Sequence, residues 1–316
     1  MTERQYCCER APAEGLAGTA DPTDVWLLVE YRSTWTARAL TDNGLPVSVQ
    51  AWLRDGVAAI AAAGLRVRPQ FIRRPEVTDE PLQVMVGRPG GLLQFRVPDH
   101  DAMTGIDLPG ATLDAVSASV TDSASGGVPG ATRAVEPHYF VCTNGQRDVC
   151  CARFGLPVYA ALRERVGDRV WQVTHLGGHR YAPNVLVLPQ QVLYGRVHPA
   201  RVDAFVDTVE AGGLAVPELR GRTALPPAAQ AAEAFLLLEH AQSDDGRSGN
   251  PLRQWQLQAV HAEGEVVVVQ FAASGEVAVL AVRRDPHGLL VQPSCGAVEE
   301  RVFGYQRCPL PTPASS

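Results

Sequence analysis

Lysine is absent from this 316-residue chain, and all 28 of its basic residues are arginine. That excludes a Schiff-base lysine and a phosphate loop of the GxxxxGK[ST] kind, both of which need the amine. A compositional bias of the source accounts for the absence. An excess of positive charge is missing too. With 34 acidic residues the net charge is −6 (28 minus 34), which is not the footprint of a nucleic-acid binder. No stretch approaches the roughly 20 apolar residues that a membrane span needs. The N-terminal MTERQYCCERAPAEG lacks a basic segment followed by an apolar core, the mark of a signal peptide. The expectation is therefore a cytoplasmic protein with no membrane and no nucleic-acid partner. Seven cysteines, an odd number without a secretion signal, argue against a disulfide framework and for metal or redox use of a subset. No GxGxxG follows a strand, so a built-in nicotinamide or flavin domain is not supported.

What is present concentrates between Cys142 and His179, in FVCTNGQRDVCCARFG, a helix-length spacer and VWQVTHLGGHRYAPNVLVLP. Thiolate and imidazole together suit zinc or an iron–sulfur centre, whereas Mg²⁺ or Ca²⁺ would take carboxylates and carbonyls. A zinc knuckle brings its cysteines from C-x₂₋₄-C, one tight turn presenting both sulfurs to one ion. Here eight residues separate Cys142 from Cys151, enough to wrap a wider object such as a two-iron, two-sulfide rhomb. His175 and His179 have i, i+4 spacing, but the two glycines between them each weaken a helix by roughly 1 kcal/mol, which favours a loop. Glycine also lets backbone N–H groups approach inorganic sulfide. Adjacent side chains diverge in an extended or turning chain, so one of Cys150 and Cys151 is a spectator. Spacing alone does not choose between them.

The remaining chain reads as follows. Residues 1–24 form an arm carrying Cys7 and Cys8. Val25 to Tyr31 is a buried strand, and Pro46 opens a helix that Gly64 stops. Three extended segments follow, LRVRPQFIRR, LQVMVG and LLQFRV, the last two joined by a hairpin at Arg88-Pro89-Gly90-Gly91. Asp99 to Arg133, rich in Ser, Gly, Asp, Ala and Pro, is expected to hold a junction. His138 to Cys142 is a strand, Pro157 to Val166 a helix, and Val170 to Thr174 a strand. Asn184 to Leu188 and Leu193 to Val197 are a strand pair, followed by a helix over Pro199 to Glu210. This second β-α-β-β-α series matches the first in order, which points to a degenerate internal duplication with the ligands in the second copy only. A helix after Pro226-Pro227, a polar linker and an antiparallel meander close the chain. Cys295 and Cys308 lack a second thiol or histidine at ligand spacing and read as structural. His138, four residues before Cys142 on the same strand, is a candidate to support the ligands.

CTNGQRDVCCARFG, then VWQVTHLGGHRYAPNVLVLP and LYGRV, resembles the sucrase/ferredoxin-like family, whose motif is C-x₈-C followed by H-x-G-G-H. The likeness is strong over about residues 135 to 215 and weaker at GTADPTDVWLLVEY. The motif falls on Cys142, Cys151, His175 and His179 and leaves Cys150 outside it. The resemblance implies an α/β fold with a thioredoxin-like ferredoxin domain over 131–220. This would be preceded by the arm (1–24) and a degenerate thioredoxin-like half plus linker (25–130), and followed by a helix and β meander (221–316). It also implies a [2Fe–2S] cluster on two thiolates and two imidazoles. If both histidines hold one iron, the arrangement is Rieske-like, with an expected potential of about −150 to +300 mV against about −400 mV for plant-type clusters. The expected function is electron transfer or redox sensing with an unidentified reductase or acceptor as partner, more an electron carrier than an enzyme with its own substrate. A zinc-stapled binding module is the alternative. A thiol-redox protein using Cys150-Cys151 is the third, though it lacks the usual C-x-x-C. No carboxylate pair is marked out for sugar hydrolysis, so nothing supports sucrase activity.

Overall fold

The computed structural model describes residues 6–10, 14–88, 91–113, 130–243 and 255–311. In chain order the first elements are α1 (Cys7–Arg10), β1 (Val25–Glu30), α2 (Val47–Ala62), β2 (Val67–Arg73), β3 (Leu82–Arg88), β4 (Gly91–Val97), α3 (Leu108–Leu113) and β5 (Ala131–Arg133). Then come β6 (His138–Cys142), α4 (Val149–Val166), β7 (Val170–Val173), β8 (Val185–Leu188), β9 (Val192–Tyr194), α5 (Val202–Glu210), β10 (Leu219–Arg222) and α6 (Pro227–Ser243). The last are β11 (Gln256–Glu263), β12 (Val266–Ala273), β13 (Glu276–Arg284), β14 (Leu289–Val291), β15 (Glu300–Val302) and β16 (Tyr305–Cys308). The fold is α/β, as expected.

Two compact units divide the chain. One comprises Thr23–Leu176 and Val185–Gln191. Its strands run in the order β8-β6-β7-β2-β1-β3-β4-β5. β1 is parallel to β2 and antiparallel to β3, while β6 is parallel to β7 and antiparallel to β8. The two β-α-β-β sets therefore have the same topology, and they meet at β2 and β7, where Ile72 faces Val173 in an antiparallel pair. Read outward from that seam the order is β2-β1-β3 on one side and β7-β6-β8 on the other, a palindrome. β1 is buried at every position, as a central strand covered on both faces must be. α2 lays Val49, Leu53, Gly56 and Ile60 on the core, an i, i+4, i+7, i+11 stripe. Gly64 at φ +84° ends its last turn.

Part of the stretch expected to be a junction is core: Met103, Leu108 and Ala111 are buried against α2 and β1. Residues 114–129 and the Pro89-Gly90 turn lie outside the described residues, although Arg88 and Gly91 do pair across the hairpin. The second helix also departs from expectation. It begins at Val149 instead of Pro157, because Asp148 caps it by accepting the Cys150 N–H at 2.9 Å. Pro157 lies within that helix and forgoes only its own bond to the preceding turn.

The other unit comprises Met1–Pro22, Gly177–Asn184 and Val192–Ser316. β9 pairs antiparallel with β10, and the expected meander is present as β11-β12-β13-β16. α6 packs Ala229, Ala232 and Leu236 on Val269, Phe271, Leu280 and Val282 of that sheet. The polar linker before it lies outside the described residues from 244 to 254. The expected helix over Pro199 to Glu210 is a 3₁₀ turn, Pro199–Arg201, leading into α5. Cys295, which the sequence marks as structural because no thiol or histidine stands at ligand spacing, has its Sγ 3.7 Å from Cys7 Sγ.

Candidate metal centre

Cys142 is the last residue of β6, so its position is fixed by the parallel pairing of Cys142 with Val173 and by the Thr143 N–H donating to the Val173 carbonyl at 3.1 Å. The chain then turns tightly. Gly145 N–H bonds back to the Thr143 carbonyl at 2.9 Å, and the Arg147 and Asp148 amides donate to the Asn144 carbonyl at 3.1 and 3.3 Å. The Asn144 side chain ties this turn to the Thr36 carbonyl at 2.9 Å. Asp148 then starts α4, and Cys151 falls in its first turn, its amide donating to the Asp148 carbonyl at 3.1 Å. The helix can approach β6 so closely because residue 155 is glycine; a Cβ there would stand 2.3 Å from the Cys142 carbonyl oxygen.

His175 follows β7 by two residues. Thr174 holds that strand end in place: its amide donates to the Phe71 carbonyl at 2.9 Å, its hydroxyl accepts from the Phe71 amide at 3.0 Å and donates to Gln70. The result is a group of three. Ligand atoms of Cys142, Cys151 and His175 all lie within 4.8 Å of one another. Both thiols are 1% exposed, whereas His175 is only half-buried. The Cys151 thiol donates to the Cys142 sulfur; this bond, with the His175 ring and the Leu176 amide, holds Cys142 well below the usual thiol range against the opposing effect of burial. The same bond and burial push Cys151 well above it. One of the two sulfurs is thus predisposed to be a thiolate, the form that binds metal.

The unit boundary falls between Leu176 and Gly177. Gly177 and Gly178 take φ of +85° and +69°, so the two histidines bracket a loop and not a helix. At Gly178 a Cβ would meet Tyr181 Cδ2 at 2.5 Å and Arg220 Nη2 at 2.8 Å, so no larger residue fits. Arg220, 1% exposed, donates to the Gly177 carbonyl and the Asn184 side chain, each at 2.9 Å, and to Thr19; Asn184 donates to the Gly178 carbonyl at 3.0 Å. His179, 8% exposed, opens the 3₁₀ turn His179–Tyr181. The Tyr181 hydroxyl, pushed up to about 12 by burial and by its bond to Glu14, is neutral at physiological pH.

One sequence reading needs correction. His138 supports no ligand: its Nδ1–H donates to the Glu136 carbonyl at 3.1 Å, which leaves Nε2 to accept from Gln94 at 2.8 Å. Asp148 is the helix cap, and an Asp three residues before the buried Cys151 was the signal available. The roles of the Leu176 amide and Arg220 leave no mark in local sequence.

Two buried sulfurs and an imidazole at the end of a mixed sheet give this α/β protein a group of soft donors that could hold a metal ion. The chain belongs to the sucrase/ferredoxin-like family, whose model matches residues 16–221. It is similar to three yeast proteins named Altered inheritance of mitochondria protein 32. That of Debaryomyces hansenii is 36% identical over 89 residues, 25% of this chain and 33% of that protein. That of Meyerozyma guilliermondii is 36% identical over 91 residues, 24% and 30%. That of Clavispora lusitaniae is 34% identical over 113 residues, 29% and 41%. The matches thus span well under half the length of these relatives. No solved structure matches the chain. Among the described residues no helix is long and apolar enough to cross a membrane.

Proposed function

We propose that this chain is a one-electron carrier or redox sensor, built around a [2Fe–2S] cluster held by Cys142, Cys151, His175 and His179. The observation that carries the reading is the buried grouping of Cys142, Cys151 and His175, with a thiolate favoured on Cys142. The donor set fits the group: two sulfurs and imidazole nitrogen are iron–sulfur ligands of the mixed type. His179 is the fourth ligand by the family motif. When bound, the cluster supplies reversible one-electron redox chemistry at a potential raised by neutral imidazole ligands. The chain's own residues do the rest. The Asp148 cap and the α4 N-terminus hold Cys151, and the Leu176 amide stabilises negative charge on Cys142. Burial of both sulfurs keeps water away, and Thr174 fixes the strand end that carries His175. The partner in this reading is a reductase or acceptor protein in a cytoplasmic setting, with neither nucleic acid nor membrane involved.

One observation favours a second reading, a structural zinc site. The three ligand atoms are mutually close enough, within 4.8 Å, for a single tetrahedral ion to draw them together. Purified protein decides between them. About two irons and about two sulfides per chain with visible absorption are expected for the cluster. A colourless protein with stoichiometric zinc ends the ferredoxin reading.

A further inference from the structure

Beside His175 the first unit opens a cavity of about 330 Å³, whose walls include Ala37, Leu40, Arg38, Arg68, Arg147 and His175. Three features set it apart. Among the described residues no carboxylate lines it, although the chain as a whole carries −6. Arg38 and Arg147 are exposed, and among the described residues neither guanidinium has a hydrogen-bond or ion-pair partner. Arg68, half-buried with its guanidinium 5.4 Å from the Trp26 ring, donates to the His175 carbonyl at 3.3 Å, so positive charge reaches the ligand's own backbone. Ala37, Ala39 and Leu40 supply an apolar part of its wall.

Of Cys142, Cys151 and His175, only His175 reaches toward solvent. We propose that this opening is the docking site of an acidic redox protein, one that presents carboxylates around its own redox group and exchanges an electron through the His175 edge. The inference rests on the electron-transfer reading above and names the partner's chemistry. A locally positive, apolar-floored mouth on an otherwise acidic protein steers a negative partner to one face and repels it elsewhere. The guanidiniums of Arg38 and Arg147, without partners among the described residues, can meet its carboxylates in bidentate fashion.

The test uses small one-electron oxidants of opposite charge on the reduced, cluster-loaded protein. In each case one electron leaves the centre and reduces iron(III) or cobalt(III) by one unit, with no proton required. Oxidation by hexacyanoferrate(III) should slow as salt rises from about 20 to about 300 mM, because the Debye length shrinks to below the size of the patch. Oxidation by hexaamminecobalt(III) should not slow. In the Arg38→Glu, Arg147→Glu double variant the hexacyanoferrate(III) rate at low salt should fall about 10-fold or more and its salt dependence should reverse, with the visible spectrum unchanged. A ten-residue glutamate peptide should inhibit the wild type competitively, and citrate at equal carboxylate concentration should not. A hexacyanoferrate(III) rate that rises with salt in the wild type shows that net charge governs approach and overturns the proposal. So does inhibition by citrate in preference to the peptide, which would make the cavity a site for a small organic anion. A preparation without a visible band fails the electron-transfer reading instead. Docking is then decided by fluorescence anisotropy of the labelled glutamate peptide on the colourless protein, where binding that the double variant loses supports the surface and equal binding by both proteins overturns it.

Discussion

Gly155 on α4 lies directly against the carbonyl of Cys142, leaving no room for a side chain: a Cβ would stand 2.3 Å from that oxygen. The contact partner is backbone of the strand that carries a ligand, so it cannot rotate away. Gly155→Ala should push α4 off β6, destabilise the protein by about 1–3 kcal/mol as overpacked sites do, and widen the Cys142–Cys151 approach. Urea unfolding and metal content measured on the same preparation check this. An alanine variant with wild-type midpoint and metal load would show that the helix shifts freely.

His138 makes a pH prediction. Burial holds its imidazole below the ordinary value, with the bond to the Glu136 carbonyl opposing and the charge of Arg169 assisting. The folded state therefore binds fewer protons than the unfolded chain below about pH 6.5. Stability from this group is present above that pH and is lost as pH falls through the folded value, at no more than about 1.4 kcal/mol per pH unit. His138→Gln should flatten the fall in melting midpoint between pH 7.5 and pH 5.5. Parallel pH profiles for variant and wild type would assign the acid sensitivity elsewhere.

The β-α-β-β order of the two strand sets was legible because each element announces itself locally. Val25 to Val29 is an unbroken apolar run bounded by Asp24 and Glu30, and the α2 stripe begins after Pro46 and stops at Gly64. What local pattern does not carry is which strands meet. The Ile72–Val173 seam joins positions 101 residues apart by number, and only the packed sheet decides it. The early turns of α4 were missed because Gly155 and Pro157 both read as breakers, whereas the glycine is there for the Cys142 carbonyl and the proline costs one hydrogen bond. α3 was missed for a similar reason: LPGATL has the composition of a loop, but Leu108 and Ala111 are core. The site divides the same way. The motif marks Cys142, Cys151, His175 and His179, while the Cys7–Cys295 contact at 3.7 Å joins opposite ends of the chain.

Arg220→Lys tests the loop between the histidines. The guanidinium reaches the Gly177 carbonyl, the Asn184 side chain and Thr19 together, in a fork that a single ammonium does not reproduce. Each charged hydrogen bond left unmade costs about 1.5–3 kcal/mol. The lysine variant should therefore melt at lower temperature despite keeping its charge. If His179 is a ligand it should also lose metal faster to a chelator. Retention of both properties would mean that the loop keeps its shape without this clamp.

The adjacent cysteines give the sharpest discrimination. Cys150 and Cys151 are both buried in the first turn of α4, one residue apart, so composition, helix dipole and burial treat them alike. Geometry does not. Successive residues on a helix point about 100° apart, and Cys151 is the one grouped with Cys142 and His175. Serine removes the soft donor while changing volume little, so any difference between the two variants reports ligation and not packing. Cys151→Ser should abolish the visible spectrum or, on the zinc reading, stoichiometric metal. Cys150→Ser should leave the band positions unchanged, with at most a modest loss of thermal stability. Iron, zinc and sulfide analysis beside the absorption spectrum of each variant checks both halves. Loss of the centre in Cys150→Ser with retention in Cys151→Ser would reverse the ligand assignment, and equal loss in both would mean that the first turn of α4 rearranges when either thiol is removed.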